Sequence, residues 1–191
     1  MTIDLEKAFA TYFEEIERCE KGKCYWALLH LLVVLPDICA ALESENGKAD
    51  DARYRGWCKR YFGRDEQFTS EDRYFLRCAL LHQGRTVTER GQYSGYSFSQ
   101  PTPIGTVPHR VADRFAPEQK PIFRLDVGRM TVETVEAIHT WFTDLQKKGN
   151  EGRLNNFKRH IPWLAQKGET TVPGNIVPTV QTTSSTGGFS S

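Results

Sequence analysis

No charge of one sign dominates this chain. Lys and Arg number 25 against 24 Asp and Glu, so net charge makes no general case for a nucleic-acid partner, and any such surface must be a local patch. Cysteine is scarce and odd in number: Cys19, Cys24, Cys39, Cys58 and Cys78 lie mostly within helical patterns, unlike the paired cysteines of a turn-rich secreted framework. They read as reduced, small, buried hydrophobes. Cys19 and Cys24 have a spacing that zinc sites sometimes use, but no second pair at ligand spacing follows, which argues against a structural zinc. No metal or cofactor is expected.

The sequence also lacks an apolar run ahead of a small-residue cleavage site. MTIDLEKAF carries acidic residues instead, so an ordinary signal peptide is not expected and the protein is placed in the cytoplasm. Its most apolar stretch, Tyr25 to Leu42, is interrupted by His30 and by Pro36-Asp37, which suits a buried core helix better than a lipid-facing span. No membrane partner is expected. No internal repeat is visible.

What remains is a mainly α-helical pattern over 191 residues, enough for one domain with a real core. Leu5, Phe9, Phe13 and Ile16 repeat at helical spacing, with Thr2 as N-cap and Gly22 as stop. Tyr25 to about Glu43 forms a second, central helix, kinked by Pro36. A third follows Asp50-Asp51 and closes at Gly63. Thr69 and Asp72 resemble a capping box, so a fourth helix runs from about Ser70 to Gln83, with Gly84 beyond it. From Arg85 to Gly128 periodicity vanishes, and a long loop with a small β element is expected, its strands at Tyr96 to Ser99 and Ile122 to Val127. A fifth helix, opened by Thr131, carries the stripe Val132, Val135, Ile138, Phe142 and Leu145, and a shorter one follows through Leu154, Phe157 and Ile161. Residues 1–167 make the helical domain, with residues 85–130 as its insertion. Residues 168–191, rich in Ser, Thr and Gly, read as a flexible tail.

The stretch LRCALLHQG, Leu76 to Gly84, puts an arginine and a histidine near the end of the fourth helix. That pair can cleave RNA without metal: His82 takes the 2′-OH proton and Arg77 gives charge-assisted hydrogen bonds to the phosphate. Five residues apart on a straight helix, the two diverge by about 140°. One helix alone is not expected to bring them together, whereas a two-fold dimer packing two such helices antiparallel would. The plain structural alternative has the pair pinning the helix end to the following loop.

Around the motif lie cations and rings. Arg53, Arg55, Lys59, Arg60 and Arg64 are interleaved with Tyr54, Trp57 and Tyr61, as a single-stranded RNA track needs. Arg73 and Arg85 extend that set of RNA-binding candidates. An amphipathic helix with a solvated basic side explains the same pattern. Arg153, Lys158, Arg159, His160 and Lys167 with Phe157 and Trp163 form a second, peripheral patch. His30 and His139 are expected to pack, and His109, in a loop beside Arg110, to reach a ligand or water.

Arg77-Cys-Ala-Leu-Leu-His82, with WCKRY from Trp57 to Tyr61 and DRYFLRCALLHQG from Asp72 to Gly84, resembles the HEPN domains (higher eukaryotes and prokaryotes nucleotide-binding), in particular a group of bacterial and plasmid-borne HEPN-like proteins. The resemblance covers about residues 5 to 148. Cys78 stands after the arginine where active members usually carry a polar residue. The resemblance implies a bundle of about five helices and a metal-independent endoribonuclease of toxin or phage-defence type, a homodimer whose catalytic residues are Arg77 and His82. RNA or nucleotide, and an antitoxin protein, are the partners it implies. The alternative it leaves open is a non-catalytic HEPN-like domain that binds nucleotide, RNA or a protein.

Overall fold

The computed structural model describes residues 4–63, 65–102, 109–116 and 118–164. Thr2, Arg64, Lys167 and the tail lie outside the described residues. Within them the chain is mainly helical with one small three-stranded sheet.

The first helical stripe is divided. Asp4 caps α1 (Leu5–Ala8) by accepting from the Glu6 N–H, and α2 (Ala10–Lys21) restarts after Phe9. Phe9 is fully buried and meets Trp141 edge-on, so the break sits where the largest apolar group turns inward. The helix α3 (Tyr25–Glu43) runs with Pro36 inside it and touches α2, α5 (Ser70–Gln83) and the later helices, which makes it the central post. Its inner face, Leu28, Leu29, Leu32 and Leu35, is buried. Its outer face is also apolar, yet Trp26 is 52% exposed and His30, Leu31 and Val34 are only half-buried. By length and composition it is also a helix that could cross a membrane.

Asp50 caps α4 (Asp51–Tyr61) through the Arg53 N–H, and Trp57 sits at 0% exposure against Tyr61, Phe62 and Trp141. Removing a ring so enclosed costs about 3–5 kcal/mol.

The expected insertion folds as a sheet, with one strand more than its sequence announces. β1 (Gly95–Ser99) pairs parallel with β3 (Ile122–Asp126), and β2 (Val111–Asp113) pairs antiparallel on the other side of β3. Three residues are too few for alternation to show, which is why β2 escapes pattern reading. Tyr93, Tyr96, Phe123 and Phe68 form its core, with Tyr93 and Phe123 stacked at 4.3 Å. α6 (Val127–Leu145) then begins at once. Its cap is Asp126, accepting from the Arg129 N–H at 2.9 Å, while Thr131, expected as the cap, lies inside the helix and bonds back to the Val127 carbonyl. The strand feeds the helix without a linker, so the apolar stripe alone starts it a turn too late. α7 (Glu151–His160) and a 3₁₀ turn (Ile161–Trp163) complete the described fold.

Candidate functional site

Both ends of α5 are fixed by its own sequence. At the start, the Thr69 hydroxyl accepts from the Asp72 N–H while the Asp72 carboxylate accepts from the Thr69 N–H. At the end, Gly84 adopts φ 60°, and Gly84 and Arg85 donate back to the Leu80 and Ala79 carbonyls at 3.0 Å. Leu76, Ala79 and Leu80 anchor the helix in the core, which leaves Arg77 and Cys78 half-buried and His82 exposed.

Arg77 and His82 meet within one chain. Arg77 Nη1 lies 3.0 Å from His82 Nε2, against the expectation that only a dimer could unite them. Side chains on a helix lean toward its N-terminus, so His82 folds back while the long arginine stem runs forward along the surface. Together they close about 7.5 Å of axial rise. Neither side chain makes a hydrogen bond or ion pair with the following loop among the described residues. A guanidinium can only donate, so the contact is a hydrogen bond when His82 Nε2 is the acceptor.

A third residue, which the sequence reading passed over, orients the pair. Asp37 on α3 accepts from Arg77 Nε at 2.7 Å. Burial raises the Asp37 carboxyl above the usual carboxylate range, opposed by Arg77 and by His82. For Arg77 burial alone would lower the pKa, but the bond and the charge of Asp37 outweigh it and push the guanidinium further up. Because Asp37 takes Nε, the Nη groups are left to other partners, and Nη1 meets His82. The signal was present: Asp37 is the one carboxylate between Tyr25 and Leu42, and a lone acid in an apolar helix calls for a cation. Cys78 adds little, with its Sγ 3.9 Å from Arg77 Nη1.

The expected RNA track is largely occupied by the fold. Tyr54 and Trp57 are buried and cannot stack on bases. Arg53 binds the Lys48 carbonyl and Asn46, Arg55 pairs with Asp51, and Arg60 pairs with Glu43. Lys59 and Arg85 are exposed. Arg73 is not a surface cation at all: its guanidinium lies 3.7 Å from the Phe62 ring and 4.3 Å from the Phe68 ring, with only 6% of the residue exposed. An arginine one turn before a motif reads as basic surface until the rings around it are known.

The same holds for the other histidines and the second patch. The His109 side chain is nearly covered, its Nδ1 accepts from the Asp126 N–H and its Nε2 lies 3.0 Å from Glu133, so both ring nitrogens are used within the fold. Burial alone would raise the Glu133 carboxyl, but His109, Arg110 and Arg73 override it and hold it at about 2. That network docks β2 and its loop onto α6. His30 sits on the half-exposed side of α3 and bonds to the Trp26 carbonyl, so it is not a core histidine, and His139 stacks on Phe13. Arg153 is spent on Glu43 and Asp144. Of the cysteines, Cys39 and Cys58 are buried as expected but Cys24 is exposed. Among the described residues no group of three His, Cys, Asp or Glu side chains could hold a metal ion.

No protein-family model, curated protein or solved structure matches this chain.

Proposed function

We propose that the chain is a HEPN-like, metal-independent endoribonuclease of toxin or phage-defence type, cutting single-stranded RNA as a cytoplasmic homodimer, with an antitoxin protein as a further partner. The observation that carries this reading is the hydrogen-bonded string Asp37, Arg77, His82 at an exposed helix end.

In the proposed reaction the scissile phosphate competes for the Nη groups of Arg77, which Asp37 holds through Nε. As Nη1 turns to the phosphate, the His82 Nε2 lone pair is released and accepts the 2′-OH proton. The 2′ oxygen bonds to phosphorus, the bond to the 5′ oxygen breaks, and that oxygen takes a proton from water. Arg77 offsets the charge that develops on the phosphoryl oxygens. In this proposal the homodimer forms through the outer face of α3, the helix that also carries Asp37, where Trp26 is exposed and Leu31 and Val34 are half-buried, in place of the motif-helix packing that the intrachain contact makes unnecessary. Facing copies would place two such strings near one two-fold axis.

One contact favours a second reading. The lone pair that a base needs is occupied by Arg77 in this conformation, as in a non-catalytic domain that binds RNA, nucleotide or protein through the same surface. Cleavage assays in EDTA separate the two. Single-stranded RNA should be cut and the matching DNA left whole, His82→Ala should abolish cutting, and Arg77→Ala should cost about 2–4 kcal/mol of transition-state stabilisation. Cutting that survives His82→Ala, or that requires a divalent metal, contradicts the proposal.

A further inference from the structure

A cavity of about 400 Å³ opens on the other side of α5 from Asp37, between that helix and the segment that follows it. Cys78 and Gln83, the chain neighbours of Arg77 and His82, both line it, so the cavity and the pair share the last two turns of α5. Tyr74 and Phe75 supply half-buried rings from the helix, and Arg85, Glu89 and Arg90 supply charge from the facing segment. The side chains of Arg85 and Arg90 are exposed and make no ion pair among the described residues, in contrast to most arginines of this protein.

The facing wall is held in place. Gly91 has φ +84° and passes so close to α5 that a Cβ there would lie 2.9 Å from the Phe75 ring and 2.7 Å from the Asp72 carboxylate. The Gln92 backbone N–H and side-chain amide both donate to Asp72, and Lys120 donates to the Gly91 carbonyl at 2.9 Å. The Arg90 N–H donates to the Thr88 hydroxyl. A wall fixed by buried Asp72 at one end and the sheet at the other keeps the cavity open without a ligand.

We propose that this cavity is a nucleotide subsite that receives the RNA residue next to the scissile phosphate. Its volume lies within the range of small-ligand sites. The rings of Tyr74 and Phe75 offer a stacking surface to the base, and Arg85 and Arg90 meet its phosphate. Glu89 is an acceptor among those cations. It repels phosphate from its own side and accepts from base N–H groups, which favours guanine, whose N1–H and 2-amino group lie side by side, and disfavours uracil, which has no amino group. The subsite rests on the ribonuclease reading for its position in the substrate, but its occupancy does not require cleavage.

The test therefore measures binding. The full chain is titrated with guanosine, uridine and inorganic monophosphate by calorimetry, and the nucleotides compete against a labelled single-stranded RNA followed by anisotropy. Guanosine monophosphate should bind at least 5-fold tighter than uridine monophosphate and displace the RNA. Arg90→Ala should weaken both nucleotides about 5- to 10-fold, and Glu89→Ala should erase the preference. Both residues are exposed loop positions, so folding is not at stake. Displacement of RNA by guanosine monophosphate in a protein that cuts nothing would sink the ribonuclease reading and leave the subsite standing. Absence of nucleotide binding at millimolar concentration, or binding indifferent to Arg90→Ala, would overturn the subsite. So would nucleotide binding that leaves RNA in place, which marks a separate effector site.

Discussion

Asp37 is the residue whose alteration separates positioning from mere packing. Its carboxylate accepts from Arg77 Nε at 2.7 Å, and the two side chains are 18% and 22% exposed. Asp37→Ala removes a hydrogen bond to a charged group and strands a partly buried guanidinium, a loss of about 1.5–3 kcal/mol in stability. Asp37→Asn keeps an acceptor at the same place. It also relieves the burial that raises the carboxyl's pKa, and this relief opposes the lost attraction to Arg77, so its net effect on stability should stay within about 1 kcal/mol. The activities should divide the same way. With the guanidinium no longer aimed, Asp37→Ala should lose on the order of 100-fold in kcat, whereas Asp37→Asn should retain most of it with KM little changed. Urea unfolding and single-turnover cleavage on the same preparations give both quantities. Equal activity in the two variants would refute the argument that Asp37 acts by orienting Arg77.

Three further expectations follow from other parts of the fold. Glu133 is held at about 2 in the fold against 4.5 for an ordinary glutamate, a difference worth about 3 kcal/mol; because the folded value is depressed, that stability is present above about pH 4.5 and lost as pH falls toward 2, and urea midpoints for Glu133→Gln should lack this acid limb. Since Arg55 and Arg60 are already paired with Asp51 and Glu43, replacing Arg55, Lys59 and Arg60 together by Ala should lower the salt slope of RNA binding by about 1, the share of Lys59, rather than by about 3. Light scattering should find a dimer at micromolar concentration and a monomer for Val34→Glu, with unchanged circular dichroism; a monomeric parent protein would remove the proposed α3 interface.

Much of the architecture is legible in the sequence because it is local. The helix from Ser70 to Gln83 carries its own start in Thr69 and Asp72 and its own stop in Gly84, and an apolar run as long as Tyr25 to Glu43 permits little except a central helix. The misplaced start of α6 and the missed β2 are failures of the same kind: a strand that becomes a helix at Asp126 leaves no turn residues to read, and Val111 to Asp113 finds its partner only across the fold.

The site divides along the same line. Arg77 and His82 are named by their spacing, but their contact depends on side-chain lean and reach, which a count of residues treats as divergence. Asp37 stands 40 positions from Arg77 and joins it only through the packing of α3 on α5. Arg73 and Tyr54 fail as RNA contacts for the opposite reason, since periodicity shows that a residue shares a face and not that Phe62 and Phe68 cover it.

The most direct test of the ribonuclease account is the chemistry of the cut ends. Single-stranded RNA digested by the full chain in EDTA, analysed by mass spectrometry, should carry 2′,3′-cyclic phosphate on one side of each cut and a 5′-hydroxyl on the other, because the proposed nucleophile is the adjoining 2′ oxygen. Ends bearing 5′-phosphate and 3′-hydroxyl would mean that water attacks and the 2′ oxygen does not, and would contradict the role given to His82.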